Sequence, residues 1–183
     1  FMIKILLLAP LPPPMGGIAN WTEILLRKSD NHEVEIRHLD TAVRWRSVTN
    51  KPKWLRVMGG AIHGVSIVCK TLKALIRSDI DVMHVCSGGG LSFAKDVILL
   101  IIARVFRVKS VIHIHNGRLP QLIGRRCGGR PSRYFFHAAF RLSSSFVVIE
   151  RKSFDALKSY VKNHDYDFDK VHLLPNFIDL EKI

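Results

Sequence analysis

The sequence predicts an α/β fold: a mainly parallel β-sheet with helices on both faces. Short apolar runs alternate with stretches of helical period nearly from end to end. The first run, residues 2–9, is almost wholly apolar, as in a strand covered on both sides. Several strand ends pass into polar, glycine-containing turns and then into helices. Strict alternation of strand and helix demands right-handed crossovers, and these make neighbouring strands parallel.

Residues 2–9 read as the first strand, stopped by Pro10. Four prolines among residues 10–14 forbid a helix there and keep the segment extended until Gly16-Gly17. From Ile18 the apolar residues Ile18, Trp21, Ile24 and Leu25 recur at helical spacing. Residues 33–39 alternate Val34 and Ile36 with charges, which suggests a second strand near the sheet edge. Residues 40–53 lack a period and read as loop. A helix follows over 54–77, with Leu55, Met58, Ile62, Val65, Val68, Leu72, Leu75 and Ile76 as its apolar positions; Gly59-Gly60 and Gly64 should bend or split it. Residues 81–86 are a third strand, turned by Ser87-Gly88-Gly89-Gly90 into a helix over about 91–106. Residues 109–115 form a fourth strand, ended by Asn116-Gly117. A basic loop covers 118–133, followed by a helix around 134–142, a strand at 145–149, a helix at 153–163 and a sixth strand at 171–174.

Composition narrows the function classes. With 183 residues and 48% hydrophobic content the chain can build a sizeable core, and it is neither disordered nor fibrous. The net charge of +13 favours anionic partners. No base-reading motif accompanies that charge, so nucleic acid is not the expected partner. Cys69, Cys86 and Cys127 are widely spaced with no CxxC pair, which suggests reduced thiols in a cytoplasmic protein. No signal peptide is read at the start. The longest apolar run, Val97 to Val105, is interrupted by Arg104 and is too short to span a bilayer.

In an open parallel sheet, ligands bind outside the carboxyl ends of the strands. That rule places Gly16-Gly17, the Gly88 to Gly90 turn and His115-Asn116-Gly117 on one rim. At Gly16-Gly17 a helix N-terminus offers free N–H groups to a phosphate, although a plain tight turn explains a lone Gly-Gly equally well. Gly88 and Gly89 form a second candidate anion nest, with close helix packing as the alternative. His113 and His115 lie two apart on one strand and share a face. His115, nearer the strand end, is placed to reach the crevice. His113 is expected beneath a helix with a satisfied hydrogen bond. A metal site is not expected, because His84 faces the sheet interior and no third ligand is evident. No cofactor is implied. Asp40 is the one acid at a strand end near the crevice.

Cations also mix with aromatics at Arg44, Lys53 and Trp54, and again at Arg125, Arg126 and Arg130, just before Tyr134. This combination suits an anionic membrane surface or an anionic acceptor, and equally an ordinary solvated face.

Taken together, these residues resemble the N-terminal domain of GT-B glycosyltransferases, especially family 4 of retaining, nucleotide-sugar-dependent enzymes. The resemblance covers nearly the whole chain. It rests on the Pro-Pro-Pro-Met-Gly16-Gly17-Ile18-Ala19 turn, the strand at 81–85, Val111 to Gly117, the strand at 146–149 and Leu174-Pro175-Asn176-Phe177-Ile178-Asp179. The last piece is similar to the family's Pro-Asn-Gly-Val-Asp, with Phe177 in the place of the usual Gly; Glu150 stands where a Ser is common nearby.

The resemblance implies a Rossmann-like acceptor-side domain over residues 1–174, with 175–183 starting a linker to a donor-binding domain outside this chain. It implies that His115 sits by the transferred sugar and the reacting oxygens, and that Gly17, with Gly16, covers the donor diphosphate. The expected partners are a nucleotide-sugar, held mostly by the other domain, and a lipid-linked or phosphorylated acceptor. The expected location is the cytoplasm, with a peripheral place on the inner face of the membrane as an option. This piece alone should be inactive. A competing reading is a non-catalytic Rossmann-like module that binds a nucleotide or phosphate with the same glycines.

Overall fold

The computed structural model describes residues 2–29, 33–44, 53–89, 92–117, 119–123, 131–164 and 166–176. Six strands form one wholly parallel sheet: β1 (Ile3–Ala9), β2 (Val34–Asp40), β3 (Val82–Ser87), β4 (Lys109–Ile114), β5 (Ser145–Val148) and β6 (Val171–Leu173). Their order is β2-β1-β3-β4-β5-β6, with β2 at one edge as expected. The helices are α1 (Gly17–Lys28), α2 (Lys53–Arg77), α3 (Phe93–Val105), α4 (Leu119–Ile123), α5 (Pro131–Leu142) and α6 (Arg151–Asn163).

The chain steps one way from β1 to β2, then reverses and steps the other way from β3 to β6. Right-handed crossovers therefore send α1 to one face and the later helices to the opposite one. The packing agrees. Leu7, Ala9 and Cys86 point to the α1 face and pack with Trp21. Leu6, Leu8, Met83 and Val85 point the other way, against Ile67 and Leu75 of α2 and Leu99 and Ala103 of α3. Ile112, Ile114, Phe146 and Val148 continue that second face beneath Phe93, Phe136, Phe140 and Leu157. Phe136 and Phe146 meet edge to face with ring centroids 5.7 Å apart. Each fully buried Phe contributes about 1.5–3 kcal/mol of burial energy.

Four details differ from the sequence reading. α2 runs unbroken through Gly59, Gly60 and Gly64, where a bend or split was expected. α4 lies inside the stretch read as a basic loop. α5 starts at Pro131 rather than near Tyr134, since proline suits a first helical turn whose N–H groups have no partner. Finally, Leu55, Met58, Ile62, Val65 and Ile76 of α2 are exposed rather than core. The packed side of α2 is instead its Ile67, Thr71 and Leu75 face.

Candidate functional site

The reversal of strand order between β1 and β3 opens a crevice at the carboxyl edge, because the loops leaving these two strands diverge to opposite faces. On the β1 side, Asp40 at the end of β2 accepts bonds from the amides of Leu11 (3.0 Å) and Ala42 (2.8 Å) and from Arg44 (2.5 Å). Burial raises the Asp40 carboxyl, but these donors outweigh it and hold the pKa below the usual carboxylate value. Asp40 thus anchors the start of the proline segment. Gly16 precedes α1 in extended conformation and its carbonyl accepts the Asn20 amide at 2.9 Å. A Cβ on Gly16 or Gly17 would meet nothing within 4 Å, so neither packing nor backbone requires glycine there.

Between β3 and β4 the rim is tied together. The Asn116 side chain donates to the Gly88 carbonyl at 2.8 Å, and the His115 amide donates to the Ser87 carbonyl at 3.1 Å. Gly89 holds φ +77°, and a Cβ on it would lie 3.3 Å from Asn116 Nδ2. Beneath the turn, Ser87 Oγ accepts the Gly89 amide at 3.2 Å and donates to the fully buried Asp96 carboxylate at 2.5 Å. Asp96 Oδ1 also pairs with Lys95 at 2.9 Å. At Gly117 a Cβ would lie 3.1 Å from both carboxylate oxygens of Glu150, which itself accepts from Ser153 Oγ at 2.9 Å.

His115 lies on this rim, but its ring turns inward rather than out into the crevice. Its centroid is 5.0 Å from that of Trp21, one turn into α1, and 4.0 Å from that of His113. Both ring nitrogens are shielded from solvent and make no hydrogen bond of good geometry. Burial pushes the His115 pKa down to about 4, helped by His84, while the side chain of Asn176 beyond β6 pulls the other way. The closing Pro175-Asn176 segment therefore reaches the same rim. His115 is a neutral imidazole at pH 7, a donor and acceptor rather than a charge.

His113 is fully buried under α1, as expected, and its Nδ1 lies 3.3 Å from His84 Nε2. Its Nε2 has no partner, so the hydrogen-bonding of this buried ring is incomplete. Burial, then His115 and His84, push it down to about 2; burial alone takes His84 to about 4. The sequence offered no third metal ligand beside these two, and the strand register supplies one: Cys86 is paired with His113 across β3 and β4. Ligand-type atoms of His84, Cys86 and His113 lie within 4.8 Å of one another, and among the described residues these three could hold a metal ion. Burial and Asp96 push the Cys86 thiol up to about 12, so the cluster rests as a neutral thiol and two neutral imidazoles.

Gly88, Gly89, His115, Asn116 and Gly117 thus come together at the ends of β3 and β4, and Trp21 carries the first turns of α1 to His115. The basic groups are not shown to join them. Arg44 is bound to Asp40, the side chains of Lys53 and Trp54 at the start of α2 lie outside the described part of the chain, and so do Arg125, Arg126, Arg130 and Gly90. Sequence reasoning missed Trp21 as the cover of the histidines and Cys86 as their neighbour. The helical spacing from Gly17 to Trp21 held a signal for the first; the second needs the β3–β4 register.

No protein-family model matches the chain, and no curated protein matches it. Among solved structures, Anabaena Alr3699/HepE, crystallised in complex with UDP and glucose, superposes with a TM-score of 0.54 at 16% identity, over 98% of this chain and 46% of that one. The two share a Rossmann-like α/β fold. The chain spans about half the length of HepE, and at this identity the likeness speaks for the Rossmann-like architecture alone.

Proposed function

We propose that this chain is the N-terminal, acceptor-side half of a nucleotide-sugar-dependent glycosyltransferase, of the retaining family 4 type, acting in cell-surface polysaccharide or glycolipid synthesis. Residues 1–174 form that half and 175–183 lead towards a donor-binding domain. The carrying observation is His115: a neutral imidazole at the carboxyl end of β4, its nitrogens without a well-made hydrogen bond, packed against Trp21 of α1. In this role the ring turns out from its place against Trp21 when the substrates bind, and an imidazole N–H then donates to the transferred sugar or a reacting oxygen. The amides at the start of α1 supply the second part. Four such donors have no partner within a helix, and open space at Gly16 and Gly17 lets a diphosphate approach them. They would stabilise charge that develops on the leaving phosphate, an effect worth on the order of 100-fold or more per donor in comparable sites.

The net charge of +13 supports a lipid-linked or phosphorylated acceptor and work at an anionic membrane face, and the free thiols of Cys69 and Cys86 support a cytoplasmic place. The crystallised complex of HepE with UDP and glucose supports a nucleotide-sugar donor. The test is His115→Ala in the parent enzyme, assayed for sugar transfer. Transfer falls by about 100-fold or more in a variant that circular dichroism shows to be folded at the assay temperature; near-wild-type turnover removes His115 from the site.

A further inference from the structure

We propose that the outer face of α2 and α3 docks the protein on an anionic lipid bilayer. α2 carries two apolar stripes on opposite sides. One, with Ile67 and Leu75, is buried in the core against β1 and β3. The other runs through positions 55, 58, 62, 65, 69, 72 and 76, an unbroken alternation of three- and four-residue steps. Met58, Ile62, Val65 and Ile76 on that stripe are 52–70% exposed. α3 packs on the same face of the sheet, and there Ile98, Ile101 and Val105 repeat the pattern with 47–72% exposure. Two neighbouring helices therefore present apolar stripes away from the core. Scattered exposed apolar residues are ordinary, but an in-register series on adjacent helices is not.

By length and composition the span Met58–Arg77 could cross a membrane, yet its other side is built into the sheet's core. That arrangement fits a helix lying in the interface plane rather than one spanning it. Charge selects the occupant. α2 contains no Asp or Glu, and exposed Lys70, Lys73 and Arg77 each follow a stripe position by one residue. The single acid of α3, Asp96, is fully buried, while Arg104 is exposed. Two copies meeting through this face would set like charges against each other, whereas anionic headgroups complement them and the apolar stripe enters the acyl boundary. This inference stands on α2 and α3 alone and does not depend on the catalytic reading of His115.

The experiment is flotation of the purified chain with vesicles of phosphatidylcholine alone and of phosphatidylcholine mixed with phosphatidylglycerol. The chain floats with the mixed vesicles, stays behind with phosphatidylcholine, and is released by salt. Ile62→Glu/Val65→Glu and, separately, Lys70→Glu/Lys73→Glu each lower the bound fraction by about tenfold or more with unchanged thermal unfolding. No flotation of the unmodified chain with mixed vesicles overturns the proposal. So does undiminished flotation of both double variants, or a lipid-free dimer that Ile62→Glu/Val65→Glu dissociates.

Discussion

The side-chain amide of Asn116 donates to the carbonyl oxygen of Gly88 across 2.8 Å, so the end of β4 is tied to the turn that leaves β3. The same amide stands 3.3 Å from where a Cβ on Gly89 would lie. One side chain thus fixes the spacing of two rim segments and limits what can occupy the turn.

Substitutions at the two glycines should separate. Gly89→Ala must hold φ near +77° and press on Asn116, which costs about 1–2 kcal/mol. Gly88→Ala meets nothing within 4 Å and should stay within about 0.5 kcal/mol of the parent. Asn116→Ala loses about 1 kcal/mol. The Gly89→Ala/Asn116→Ala pair should cost less than the sum, because the second change relieves the contact made by the first. Urea unfolding of the four variants checks this.

Stability should fall as the solution is acidified below pH 6.5. His84, His113 and His115 have folded-state pKa values of about 4, 2 and 4, all depressed from 6.5. Between pH 6.5 and 4 the unfolded chain binds protons there that the folded chain refuses, so stability rises with pH across that window and is flat above it. A drop from 6.5 to about 4 corresponds to roughly 3 kcal/mol for each of His84 and His115. Below about pH 4, His113 and the lowered Asp40 carboxyl continue the loss. Thermal midpoints of the parent and of His113→Gln, measured from pH 8 to about pH 4, should diverge in slope only below about pH 6.5.

The end of α3 is open to improvement. Arg107 follows the helix at φ 58°, and the Val108 amide reaches back to the Ala103 carbonyl at 2.9 Å, a helix stop in which glycine is the preferred residue. Arg107→Gly should raise stability by about 0.5–1 kcal/mol, read as a higher thermal midpoint.

Much of this architecture is written in local pattern. The apolar run of β1, the stop at Pro10 and the alternation through β6 dictate parallel crossovers, whereas the reversal of strand order after β2 has no local signal; once the order is set, handedness assigns each helix its face. The five-residue α4 is too short to show a period amid the basic residues around it. α2 illustrates a deeper limit, since a helix with two apolar stripes has a clear period but no internal sign of which stripe faces the sheet. At the site, strand position picked out His115, Asn116 and Gly117. The inward turn of the His115 ring depends on Trp21, and the Cys86 neighbour depends on strand register; both arise only when distant segments pack.

The most direct measurement follows the His115 ring by NMR while the chain is titrated with UDP-glucose, UDP and NAD. A nucleotide-sugar site predicts that UDP and UDP-glucose shift the His115 resonances and the amides of Gly16 and Gly17 together, weakly, while NAD leaves them in place. Tight NAD binding at those residues, with no response to either uridine ligand, would contradict the account.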